Sequence, residues 1–146
     1  MLKQTSALTI GAMLASTAAL AVFAAPIAAF GWGGTEGCTP GFWKNHPEDW
    51  ERTGLSPTDS VEETFDIEIG DDKTLMEALR TGGGGENALL RHAVAALLNS
   101  LTYPDVDYKY EPDEVIEKVQ DAFSGKKSFE SVKNTLEKQN EQGCPL

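Results

Sequence analysis

The thiols and imidazoles of this sequence, groups suited to holding a transition metal or moving protons, are Cys38, His46, His92 and Cys144. Two thiolates and two imidazoles would make a complete tetrahedral zinc set. The two cysteines can instead oxidise, and both their spacing and the leader described below favour a disulfide. A bridge from Cys38 to Cys144 would close a loop of about 100 residues, worth about 4–5 kcal/mol on the chain-entropy model. The histidines taken alone suit a proton-transfer pair, or ligands for copper or haem. No Cys-x-x-Cys-His haem attachment occurs, and no nucleophile stands in a recognisable motif, so a buried hydrogen-bonding role is the reading favoured for both. Lys44, Asn45 and Arg91 are expected in the same polar cluster.

Oxygen chemistry is offered by two acidic runs. One is Asp105 and Asp107 with Glu111, Asp113 and Glu114 behind them; the other is Asp66, Glu68, Asp71 and Asp72. Calcium takes six to eight oxygens and often draws alternate carboxylates from a loop. Neither run has the EF-hand spacing, so a solvated acidic surface is expected, with Asp105 and Asp107 the residues that would hold calcium if either run did. Trp32, Trp43 and Trp50 would stack on sugars if exposed, whereas an apolar setting for Trp43 and Trp50 makes them core residues. No cofactor is implied beyond calcium or a transition metal at these groups.

The elements that must position these residues begin after a leader. Lys3 is the only charge before Ala29, and the stretch from Ala7 to Ala24 is rich in Ala, Leu and Val. A short basic region, an apolar run and small residues at Ala24 or Ala29 read as a secretory signal, residues 1–29, cleaved after Ala29. A single membrane helix is the rival reading, since the run to Ala29 reaches the roughly 20 residues a bilayer needs. Its many small residues and the lack of a basic cluster after Phe30 argue against it. A pilin-type signal is disfavoured because no glutamate stands early in the apolar stretch.

Residues 30–146 are enough for one domain with a modest core and too few for two. The full chain carries 12 Lys and Arg against 23 Asp and Glu, a net charge of −11, and loss of Lys3 with the leader makes it −12. Such a chain repels phosphate backbones and anionic lipid, which argues against nucleic-acid and membrane-surface partners. The glycine-rich residues 30–37 read as a spacer, and the domain is expected over 38–146.

Within the domain, Thr39-Pro40-Gly41-Phe42 has the proline and glycine of a type II turn. Pro47 opens a short helix that ends near Gly54, and Ser56-Pro57-Thr58-Asp59 repeats the start signal, with Val61 and Phe65 as its apolar face. The alternation from Phe65 to Ile69 suits a short extended edge or irregular chain. A helix from about Asp72 to Thr81 is ended by Gly82–Gly85, which are a hinge or cap because no Lys-Ser/Thr pair follows as in a P-loop. Glu86–Leu101 is apolar over most of its circumference and is the expected central helix, with Arg91, His92 and Asn99 in one polar sector. Tyr103–Tyr110 should cross the surface as a connector. Helices then follow over Pro112–Phe123 and Phe129–Gln142, the latter capped by Ser128 and stopped by Gly143 so that Cys144 turns back toward the body.

The segment Cys38–Trp50, the run Leu89–Asn99, Tyr103-Pro104 and the ending Gly143-Cys144-Pro145-Leu146 together resemble a group of secreted microbial domains. That group opens on Cys-Thr-Pro-Gly-Phe/Tyr-Trp-Lys-Asn-His. The resemblance spans nearly all of residues 38–146 and implies an exported or cell-surface protein, without implying catalytic residues. The combined expectation is a mainly α, single-domain bundle of about five helices with an irregular N-terminal segment, closed end to end by Cys38 and Cys144. Its expected role is that of an extracellular, non-catalytic structural or interaction module with a protein or glycan partner. The alternative is an extracellular metal-binding or metal-dependent hydrolytic protein using His46 and His92.

Overall fold

The computed structural model describes residues 34–146; the expected leader and Trp32 lie outside the described residues. Six α-helices and one 3-10 helix succeed one another: α1 (Pro40–Asn45), the 3-10 helix (Pro47–Thr53), α2 (Val61–Phe65), α3 (Leu75–Arg80), α4 (Gly85–Leu101), α5 (Pro112–Phe123) and α6 (Phe129–Asn140). Among the described residues there is no strand, and β-type pairing is confined to isolated bridges at Gly37 with Gly143 and Ser60 with Thr74.

Local chemistry sets each boundary. The turn expected at Thr39–Phe42 is instead the first turn of α1. Thr39 Oγ1 accepts the Phe42 N–H at 3.2 Å, Pro40 occupies the first turn, and Gly41 stays outside the left-handed region. Proline's fixed φ serves helix position N1 as well as a turn, and the threonine cap decides between them. The 3-10 helix ends at Gly54, whose φ of 76° a side chain would resist. Helix α3 starts three residues later than expected because Thr74 and Glu77 form a reciprocal capping box. The alternating stretch after Phe65 is irregular: Asp66 turns left-handed at φ 52°, and the Glu62 carboxylate collects the N–H groups of Ile69 at 2.6 Å and Gly70 at 2.9 Å. Helix α6 stops at Asn140, two residues short of the expected end.

Helix α4 is the axis of the domain, with α1, the 3-10 helix, α3, α5 and α6 packed on it. Leu89, Leu90, Val94 and Leu98 are buried on its surface, as are Trp43, Phe65, Leu75, Val115 and Leu136 from the surrounding elements. Each such large apolar side chain contributes on the order of 1.5–3 kcal/mol by leaving water. The result is a small helical domain closed by a Cys38–Cys144 disulfide with a Cα–Cα distance of 4.4 Å.

Ordered packing extends upstream of Cys38 into the stretch read as spacer. The Glu36 carboxylate accepts the Asp107 N–H at 2.8 Å, and the Gly37 N–H donates to Gly143 O at 2.9 Å. Glycine allows this because the backbones nearly touch. A Cβ at Gly34 would stand 2.2 Å from Lys109 Cα, and one at Gly37 would stand 2.1 Å from the Gln139 carbonyl oxygen. Composition alone reads these glycines as freedom, whereas the fold uses them for clearance.

Replacing Gly37 with Ala should therefore cost about 1–3 kcal/mol through overpacking against fixed backbone, read as a lower urea midpoint. Gly41→Ala is the control: its Cβ would meet nothing closer than 3.6 Å, and on an α1 turn it should leave stability unchanged or raise it by up to about 1 kcal/mol.

Candidate functional site

The polar interior is concentrated where the chain ends meet. Asn99, on the last turns of α4, is fully buried and uses every hydrogen-bonding capacity of its carboxamide. Its Oδ1 accepts the Cys38 N–H at 2.9 Å and the Trp43 indole N–H at 3.0 Å. Its Nδ2 donates to the Cys38 carbonyl at 2.9 Å and to Asn140 Oδ1 at 3.0 Å. The partners fix the orientation of the amide, since the reverse would aim NH₂ at two donors.

Asn140, also fully buried, carries the network across α6. Its Oδ1 accepts a second bond from the Tyr108 hydroxyl at 2.9 Å, and its Nδ2 donates to the His92 carbonyl at 2.9 Å. Burial pushes the Tyr108 phenol far above its usual range, so it remains a donor. Beside this network the Trp50 indole N–H donates to the Trp43 carbonyl at 3.0 Å. Trp43 and Trp50 are both buried, with their N–H groups engaged, so neither offers a face to a sugar. Their amphipathic rings are used to seat the N-terminal segment on α4.

The polar sector of α4 divides among three tasks. Asn99 holds the chain ends. Arg91 reaches back over the glycine loop and donates to Thr81 O at 2.6 Å and Gly83 O at 3.3 Å, bracing the α3–α4 connection. His92 packs toward α6, with Nε2 at 3.4 Å from the Glu137 carboxylate, which also receives Lys133 Nζ at 2.6 Å. The other ring nitrogen, Nδ1, is buried without a partner among the described residues. Burial lowers the His92 pKa; Glu137 opposes that shift, while Arg91 and Lys133 add to it.

His46 stands elsewhere, at the bend between α1 and the 3-10 helix. Its ring stacks on Phe42 with centroids 4.4 Å apart, and Nδ1 lies 3.1 Å from the Glu48 carboxylate. The two histidines thus face different carboxylates on different elements. Lys44 and Asn45 lie in the last turn of α1, half-buried and exposed. Among the described residues, one group of three His, Cys, Asp or Glu side chains brings its ligand atoms together: His46, Glu48 and Asp49, all within 4.8 Å of one another.

No family model, curated protein or solved structure matches this chain. Its chemistry is accordingly read from its own geometry. The disulfide consumes both thiols, which removes them from the two-cysteine, two-histidine zinc set. The Asp105 carboxylate pairs with Arg52 at 3.0 Å, and among the described residues neither Asp105 nor Asp107 belongs to a group of three converging ligand side chains. A shallow groove of about 480 Å³ is lined by Asp71, Asp72, Lys73, Glu77, Arg80 and Thr81. Three of its charges are engaged locally, Lys73 with Asn87 and Asp71, and Glu77 with the α3 cap.

The residues missed by sequence reasoning are Asn140 as the partner of Asn99, with Tyr108 bonded to Asn140 in turn, and Glu48 as the partner of His46, with Asp49 close by. The signal for the first was an asparagine in an otherwise apolar helix face, which has to be answered by another buried polar group. The signal for the second was the Pro47 start, which bends the backbone so that positions 46, 48 and 49 converge.

His92 generates a pH dependence. A base whose pKa is lowered on folding binds more protons when unfolded, so stability falls as pH drops below the ordinary imidazole value of about 6.5. The urea midpoint of wild type should fall between pH 7 and 5, and His92→Gln should show a shallower fall over the same interval. Equal slopes would place the titration on other groups.

Proposed function

We propose that the chain is an exported, non-catalytic structural or interaction module that works outside the cell. The observation that carries this reading is the double closure of the domain. A disulfide and a saturated buried network fasten the same two chain ends, giving a body suited to an environment without chaperone repair. The buried side chains of Asn99 and Asn140, and the half-buried Arg91, spend their bonds on the fold itself. The apolar leader, and the likeness of Cys38–Trp50 to exported microbial domains, support the compartment. No helix among the described residues is long and apolar enough to cross a membrane.

The net charge of −11 directs the partner class away from nucleic acid and anionic lipid and toward an extracellular protein or glycan. The competing reading, a metal-binding or hydrolytic protein in which His46 and His92 share one ion, has less support, because those rings are directed to Glu48 and Glu137 respectively.

Intact mass of the protein from its native source, alkylated with and without reductant, tests export. The expected product lacks the leader and takes alkyl groups on Cys38 and Cys144 only after reduction. A full-length chain with both thiols alkylated directly would contradict the reading.

A further inference from the structure

We infer that His46, Glu48 and Asp49 form a surface site for a divalent transition-metal ion of the zinc type, independent of His92 and of the cysteines. The three donors come from one short segment, His46-Pro47-Glu48-Asp49, and their ligand atoms lie within 4.8 Å of one another. A zinc ion bound to an imidazole and two carboxylates sits about 2.0–2.2 Å from each donor, which brings donors to within about 3–4 Å of one another. His46 Nδ1 and Glu48 Oε1 are already 3.1 Å apart. Modest side-chain rotation brings Asp49 to the same range.

The platform beneath the donors is rigid. Phe42 stacks on the His46 ring, Pro47 fixes the backbone between the first two ligands, and the buried Trp43 and Trp50, joined by an N–H to carbonyl bond, anchor both flanking helices. Pre-set ligands lose little freedom on binding. Two of the donors are open to solvent and the third is partly so, with side chains 45% exposed at His46, 67% at Glu48 and 22% at Asp49.

Donor chemistry selects the ion. One imidazole nitrogen and two carboxylates suit zinc and its neighbours. They fall short of the six to eight oxygens that calcium takes. Binding requires the Nδ1 lone pair, so the proton that Nδ1 shares with Glu48 moves to Nε2 or to solvent, and the metal replaces that hydrogen bond. Asp49 is also 3.2 Å from Arg52, which has Asp105 at 3.0 Å as a second partner and can rest there when Asp49 turns to the ion. Three protein donors leave the fourth tetrahedral position to solvent or to a donor from another molecule, which is how such a corner would join this module to a partner.

Titration of the tag-free, disulfide-bonded chain with ZnCl₂ by calorimetry, and with CoCl₂ by visible absorption, tests the site. The expected result is one equivalent bound with a tetrahedral cobalt spectrum. Affinity should fall at least ~10-fold in His46→Ala and again in Glu48→Gln, and stay unchanged in His92→Gln. His46 and Glu48 are surface groups, so circular dichroism should show both variants folded. Absence of saturable binding, or affinity unaltered in both His46→Ala and Glu48→Gln, overturns the site. Export and disulfide closure do not depend on that result.

Discussion

Cys38 enters the core in extended chain, with no strand or helix to satisfy its buried N–H and C=O. Those two groups must find partners, because an unmet buried backbone group costs about 1–3 kcal/mol. The Asn99 carboxamide meets both at once, presenting an acceptor and a donor side by side as a neighbouring peptide would. It then spends its remaining capacity on Trp43 and Asn140. One side chain on α4 therefore ties the N-terminal segment, the α1–Trp43 seat and the end of α6 to a common point. Aspartate, though isosteric, would set a carboxylate against the Cys38 carbonyl and Asn140 Oδ1, and an apolar residue would strand the Cys38 N–H and C=O and the Trp43 indole N–H, leaving Asn140 Oδ1 to Tyr108 alone. Only a carboxamide fits this set of partners.

This point of attachment gives the disulfide its place. Cys38 is held by Asn99, and Gly143, one residue before Cys144, is held by Gly37. The two backbones approach closely enough for the bridge because Gly37 has no side chain to strike Gln139. The covalent link limits the unfolded ensemble, while the hydrogen-bonded network specifies where the ends dock in the folded one. The same docking seats Trp43 and Trp50, and through them the bend that exposes His46, so the surface corner inherits its rigidity from the buried hub.

Much of this was legible in the sequence. Central burial of α4 followed from its unbroken leucine and alanine faces, the α5 and α6 starts from Pro112 and Ser128, and the pairing of Cys38 with Cys144 from an apolar leader and two lone cysteines. Even the sector holding Asn99 was visible. What could not be read was which residue would answer it, because Asn140 is 41 positions away and meets it, with Tyr108 bonded to Asn140 behind, only after α4, α6 and the connector pack. The order of residues 34–37 was hidden for a related reason: a glycine needed for clearance looks the same in sequence as one that confers flexibility. The His46 corner depended on a cap geometry that separates a turn from a helix start by one threonine hydroxyl.

If the Asn99–Asn140 pair is the point on which both ends depend, its two members must be energetically coupled. A double-mutant cycle with Asn99→Ala, Asn140→Ala and the combined variant, measured by urea denaturation with the disulfide intact, reads that coupling. The expected result is that each single change costs several kcal/mol and that the pair is non-additive by about 1 kcal/mol or more. Additivity within about 0.5 kcal/mol, or single changes that leave the urea midpoint in place, would contradict the central role of the hub.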